Sequence, residues 1–326
     1  MRGAFAAARI AAALTLACSQ EPRHASASLE SSPRGGRIVV GPLRPALTPG
    51  LTQQMLAVVQ DARGVPRERA VARWTSANPD VASITPGGLV TARMLGTTVL
   101  RATYGALAAR VTLTVQRAPV TSRELVEHRN VVTTVFWVGE GADASNEFIS
   151  NAQSAFDSDW LRHFGGVDAP RPRRRFHPAA FTPLENPFYF ALPYSDFSAD
   201  GTRKANASRV IPWAASSDAR AATSLVKNRW IGVTSRRTGT TCYAQWQDAG
   251  PGVYDDFQYV FGTAPPGNPF VLHGLALSSA LDISPAVRDC LGERDGILRV
   301  DWRFVPESGV PPGPWTAIVT RRQLSW

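Results

Sequence analysis

Two aspartates stand where a regular strand gives way to a turn, and both have the chemistry of an acid catalyst. In CYAQWQDAGPG, residues 242 to 252, the side chains of Cys242, Ala244 and Trp246 share one face of an expected strand, and Tyr243, Gln245 and Gln247 share the other. The alternation stops at Asp248, and the Gly-Pro-Gly turn that follows allows the backbone to approach a ligand closely. In ALDIS, residues 280 to 284, Leu281 and Ile283 face one way, so Asp282 faces the other. A carboxylate is seldom left unpaired inside an apolar core, so Asp282 is expected to line a groove or to bond to the scaffold. Partial burial raises a carboxyl pKa, which suits a general acid that protonates a glycosidic oxygen. A glycoside hydrolase also needs a second carboxylate, about 5 Å away for retention or about 6.5 to 9.5 Å away for inversion. Asp248, Asp255, Asp256 and Asp157 are the candidates, and spacing does not rank them. The competing structural reading has Asp282 tying its strand to the next helix and Asp248 capping its own turn.

The elements that must position these residues are mostly short strands. VVTTVFWVGE, FYFALPY at 188 to 194, RWIGVTS at 229 to 235, CYAQWQD at 242 to 248, YVFG at 259 to 262, ALDIS and VDWRFV at 300 to 305 all read as strands. One helix is expected after Asp282: Ser284 suits the N-cap, Pro285 the first helical position, and Gly292 the end. This set predicts a mostly β barrel with one or two short helices. Aromatic rings could stack on sugars. Tyr194, beside Asp196, and Tyr243, opposite the apolar face of its strand, are the substrate-binding candidates, whereas Trp246 is assigned to the core. No metal-ligand spacing, phosphate-cradling glycine loop or Ser-His-Asp order is present, so no metal or other cofactor is expected. Neither His177 nor His273 is given a role.

With 326 residues the chain has the length of about two domains, at roughly 150 residues each. Residues 1–18 carry Arg2 and Arg9 ahead of a short apolar run and read as an export signal. The run ends in Leu14-Thr15-Leu16-Ala17-Cys18, which resembles a bacterial lipobox, with Thr15 departing from the usual aliphatic residue; the resemblance implies that Cys18 is lipidated. Residues 19–36 are small and polar and read as a flexible tether. Residues 37–117 contain short alternating runs bounded by Pro, Gly, Asn or Asp, as in a small antiparallel sandwich. With Cys18 acylated, Cys242 and Cys290 form the remaining pair: an oxidising compartment permits a disulfide, and two buried thiols are the alternative. The formal net charge of +9 favours polyanionic partners, and for an exported protein these are wall or envelope glycans rather than nucleic acid. The densest basic run, Arg171-Pro172-Arg173-Arg174-Arg175, reads either as part of that surface or as a solvated loop.

Two resemblances sharpen this outline. In the first region Trp74, Asn78, Pro79, Val81, Ala82, Gly88, Val90, Thr91, Ala92 and Gly96 fall on a pattern similar to the bacterial immunoglobulin-like domain of group 2. That implies an immunoglobulin-like β-sandwich serving as a spacer or an adhesive module. In the second region, residues 118–326, Asp248, Gly250 and Pro251 followed by Leu281, Asp282, Ile283 and Ser284 resemble the double-psi β-barrel of rare lipoprotein A. Expansins, family 45 endoglucanases and membrane-bound lytic transglycosylase A share that barrel and act on glycan polymers. The resemblance implies Asp282 as the acid. Ala249 replaces an Arg of the motif, and the accompanying His of some members has no counterpart.

The expectation is an exported, lipid-anchored envelope protein: an immunoglobulin-like sandwich, then a double-psi barrel that binds peptidoglycan or another polysaccharide. Cleavage or loosening by Asp282, with Asp248 as partner, would make it a lytic transglycosylase or a glycoside hydrolase. The alternative is a non-catalytic structural or adhesive surface protein. A third reading, a protein-binding module such as a protease inhibitor, requires a large apolar surface patch. An open groove holding Asp282 and a second polar group favours the first reading, and an Asp282 fully bonded to backbone favours the second.

Overall fold

The structure is a computed structural model and describes residues 29–30, 35–67, 69–117, 125–143, 146, 148–215, 223–270 and 278–326. Cys18, the export signal and His273 lie outside the described residues. The first module runs β1 (Leu29–Glu30), β2 (Arg37–Gly41), β3 (Ala46–Leu47), β4 (Thr52–Gln54), β5 (Leu56–Gln60), β6 (Arg73–Ser76), β7 (Ala82–Ile84), β8 (Leu89–Ala92), β9 (Gly96–Tyr104) and β10 (Leu107–Val115). Strands β1, β10, β9 and β6 lie side by side, with β3 also paired to β10; β4, β8 and β7 form a second sheet and β2 with β5 a third. Along β9 the side chains of Thr98, Leu100 and Ala102 are buried while Val99 and Arg101 are exposed, the period expected when one face covers a core. Trp74, Val90, Leu100 and Leu113 meet in that core. Two residues of the expected tether, Leu29 and Glu30, pair with Ala109 and Ala108 of β10.

The second module contains β11 (Glu127–Val135), α1 (Trp160–Phe164), β12 (Arg173–Arg174), β13 (His177–Pro178), β14 (Tyr189–Leu192), α2 (Ala207–Val210), β15 (Trp230–Ser235), β16 (Thr241–Ala249), α3 (Phe257–Val260), β17 (Leu281–Ile283), α4 (Pro285–Cys290) and β18 (Ile297–Val305). Six of its strands close a barrel in the order β11-β17-β14-β16-β15-β18. The β11–β17 and β14–β16 pairs are parallel, whereas the other four are antiparallel. Large side chains fill one face of these strands: Phe190 packs on Trp246 at 5.7 Å, Trp246 on Phe304 at 5.9 Å, and Phe304 on Trp302 at 5.3 Å between ring centroids. Closure leaves no strand edge to pair with other chains, and each buried ring removes on the order of 150 to 250 Å² from water.

The protein is therefore mostly β, as the alternating runs predict. The helix after Asp282 forms as expected: Ser284 Oγ accepts the Val287 amide at 3.3 Å, and Pro285 opens the helix. The barrel module is richer in helix than expected, with four short α-helices among the described residues. One expected strand is overturned. YVFG lies in α3 and the turn after it, with Phe257, Gln258, Tyr259 and Val260 all buried. A short apolar run buried all round has no alternation to separate strand from helix. Cys242 and Cys290 are joined in a disulfide that ties α4 to β16. Because this bond closes a separation of 48 residues, replacing both cysteines with Ala should lower stability by about 2 to 4 kcal/mol, read from denaturant unfolding.

Candidate functional site

The barrel sets the two aspartates in one row. Residues paired directly across adjacent strands point to the same face of a sheet. Thr134 pairs with Asp282, Asp282 with Ala191, and Ala191 with Asp248, so these four form a line across β11, β17, β14 and β16. Asp248 joins it through a bulge. Phe190 pairs with Trp246 but Ala191 with Asp248, so Gln247 is passed over and Asp248 turns to the face opposite Trp246. Without that extra residue, strict alternation would send Asp248 into the barrel beside Trp246. Two strand spacings put the Asp248 and Asp282 backbones about 10 Å apart, with only the methyl group of Ala191 between their side chains.

The row forms part of the wall of a cavity of about 940 Å³. Asp282 is half-buried there; the Thr134 and Ser279 hydroxyls reach its Oδ1, that of Ser279 at 3.2 Å, and among the described residues no hydrogen bond reaches its Oδ2. Burial raises its pKa to about 6 in spite of those hydroxyls. Asp248 Oδ1 accepts the amides of Ala155 and Ala249, both at 2.7 Å. Its pKa rises to about 7, chiefly through burial and further through the charge of Asp282.

A third carboxyl, Glu140, also lines the cavity. Its Oε2 accepts Asn151 Nδ2 at 2.8 Å, and burial, together with Asp282, lifts its pKa to about 7. Glu140 closes the run VVTTVFWVGE, whose strand pattern carries no expectation for its carboxylate. A signal was available: like Asp248, Glu140 is a carboxylate where an alternating run gives way to a glycine-containing turn, here between Gly139 and Gly141. Glu140 is held by a chain of buried bonds. Arg173 Nη1 donates to Asp168 Oδ1 at 2.5 Å, the Tyr189 hydroxyl donates to Asp168 Oδ2 at 2.9 Å, and the Val138 amide donates to that hydroxyl at 3.0 Å. Phe136, Trp160 and Phe164 pack around Tyr189. Arg173 thus departs from both readings of the basic run, since its side chain is buried and ion-paired.

Other expected site residues lie elsewhere. Tyr194 is wholly buried against Phe261, with Lys204 over its ring. Asp196 is buried too, accepting Arg203 at 2.6 Å, Ser224 Oγ at 2.7 Å and the Leu225 amide at 2.7 Å. Tyr243 packs against Trp315 and does not line the cavity. Of the further carboxylates, Asp255 lines the cavity but is paired with Lys204 at 2.8 Å. Asp256 accepts the Gly267 amide at 2.7 Å, and Asp157 bonds His163 at 2.7 Å. The Gly-Pro-Gly turn divides its work. A Cβ on Gly252 would lie 2.1 Å from Asn268 Oδ1, so that glycine makes room for a protein side chain, whereas Gly250 borders the cavity with open space around it. Among the described residues, no cluster of His, Cys, Asp and Glu is arranged to hold a metal, and no helix is long and apolar enough to cross a membrane.

The raised carboxyl pKa values link protons to folding. Between the ordinary value of 3.8 and about 7 the folded protein holds a proton on Asp248 that the unfolded chain releases. The resulting stabilisation is full below that window and is lost as pH rises through 7. Asp248→Asn should leave stability at pH 4 nearly unchanged and raise it at pH 8 relative to the native protein, flattening the pH dependence of denaturant unfolding.

No family model matches the chain, and no curated protein does. Solved structures of the S-layer protein SbsC are similar over a limited stretch. Its domains 4 and 5 share 18% identity, covering 29% of this chain and 55% of that one, with a TM-score of 0.22. The longer rSbsC(31-844) structure shares 23% identity, covering 25% of this chain and 12% of that one, with a TM-score of 0.19. The chain spans less than two thirds of either structure, and overlaps of this size bear on neither fold nor function.

Proposed function

We propose that this is an exported, lipid-anchored cell-envelope protein that binds polysaccharide, peptidoglycan or another wall glycan, in its cavity and cleaves it with Asp282 as general acid. The observation that carries the reading is the row in which Asp282 and Asp248 flank Ala191 on one wall of the cavity. Asp282 lines the cavity and is bonded through one oxygen to side-chain hydroxyls rather than to backbone, which favours an acid over a structural tie. A closed six-stranded barrel with two parallel pairs supports the finer reading as a double-psi barrel. The small sheets of the first module support an immunoglobulin-like sandwich. The disulfide supports an oxidising compartment, and the lipid would be carried by Cys18.

In this mechanism the Asp282 proton passes to the bridging oxygen as the C1–O bond breaks, leaving an oxocarbenium-like sugar. Asp282, now a carboxylate, is available to take a proton from the attacking hydroxyl. Where that hydroxyl belongs to water, an inverting route makes the ionised form of Asp248, on the far side of Ala191, the base that takes the proton as water attacks from the opposite face of the sugar, and the backbone separation of about 10 Å leaves room for that water. Where it belongs to the sugar itself, the product is an anhydro-sugar and a second carboxylate is not required.

The test incubates protein beginning at Ser19, alongside its Asp282→Asn variant, with purified peptidoglycan and a panel of polysaccharides. Binding is measured by pull-down and released products by mass spectrometry. Products should form with the native protein, fall at least about 100-fold in the variant, and decline as pH rises through about 6, where Asp282 loses its proton. Equal product from both proteins would sink the role of Asp282. Binding without products in either would leave a glycan-binding surface protein.

A further inference from the structure

The cavity is not the property of the barrel alone. Gln54, Met55, Leu56, Ala57, Val71 and Trp74, all from the first module, also line it. The two modules are fastened beside it by buried polar bonds. Gln53 Nε2 donates to Gln258 Oε1 at 2.8 Å and to the Asp255 carbonyl at 2.9 Å, and Gln258 Nε2 donates to the Ala46 carbonyl at 2.8 Å. The Gln54 amide donates to Asp255 Oδ2 at 2.5 Å, and Asn206 Nδ2 to the Thr52 carbonyl at 2.7 Å. Gln53 and Gln258 are almost fully buried, so separating the modules would strand their amides without partners. A spacer that merely carried the barrel would not need such a joint, nor would it leave Val71 74% exposed at the edge of a carboxyl-lined cavity.

The two walls differ in chemistry. The barrel contributes every charged side chain, Asp282, Asp248 and Glu140 among them, beside apolar ones such as Phe136 and Ile149, whereas the first module contributes mainly apolar side chains and no charge. A bare polyhydroxylated chain has only its ring C–H groups to lay on that wall, and its hydroxyls would find few partners there. A sugar bearing an acyl group would lay its alkyl carbons on that wall while its glycosidic oxygen reached the carboxyls. We propose that the first module is the specificity-determining wall of the site and that it selects glycans whose sugars are acylated. This rests on the glycan reading above.

Val71 is exposed enough that its replacement should not disturb folding, and Met94, 59% exposed and outside the cavity, provides the control. The full chain in detergent, with its Val71→Asp and Met94→Asp variants, is titrated calorimetrically with N-acetylchitohexaose and cellohexaose. These are uncharged β-1,4-linked chains that differ at each sugar by an acetamido group in place of a hydroxyl. The native protein and Met94→Asp should prefer the acetylated chain by about tenfold or more, and Val71→Asp should lose that preference. Equal binding of both chains by the native protein, or an unchanged preference in Val71→Asp, overturns the role of the first module and leaves glycan binding standing. Binding of neither chain by the native protein overturns this proposal and counts against the glycan reading as well.

Discussion

A bulge of one residue at Gln247 decides what this barrel can do. The period of two in a strand is strict, so every polar group on β16 is committed either to the aromatic interior or to the outside. Passing over Gln247 reverses that commitment for Asp248 alone, keeping Trp246 inside and sending the carboxyl to the row of Ala191 and Asp282. The row then depends on closure, because β14 meets β17 on one side and β16 on the other and so brings distant parts of the chain together. Ala191 completes it, since a larger side chain there would fill the gap between the two acids.

Around that row the fold spends buried polar bonds on rigidity. Arg173, Asp168 and Tyr189 hold the segment that carries Glu140, and Thr134 and Ser279 fix Asp282. Buried networks of this kind leave a site little freedom to relax, which favours groups that must meet a reacting atom in one geometry. The joint built on Gln53 and Gln258 extends the same rigidity to the first module.

Much of this was legible in the chain. The outward turn of Asp282 follows from Leu281 and Ile283, and the helix after it from Ser284 and Pro285, because those signals are local. The pairing of Asp248 with Ala191 was not legible, since a bulge is defined by the partner strand as much as by its own sequence. Tyr194 and Asp196 misled for a related reason. An aromatic beside a carboxylate looks the same whether it faces a groove or is buried, and here Arg203 and Phe261 decide for burial. The first module's share in the cavity had no local signature at all, because it arises from two units docking.

The proton affinity of the cavity also bears on how a polymer would reach it. The whole chain carries a formal net charge of +9, whereas Glu140 and Asp248, held at about 7, and Asp282, at about 6, stay largely protonated in mildly acidic surroundings. A long-range field that would draw in an anionic strand is therefore not reversed at the last few ångströms, as it would be by three fully ionised acids. Under the proposed glycan reading, capture and entry would thereby be coupled to the acidity of the medium, with the same proton serving first to lower the electrostatic barrier and then to reach the bond.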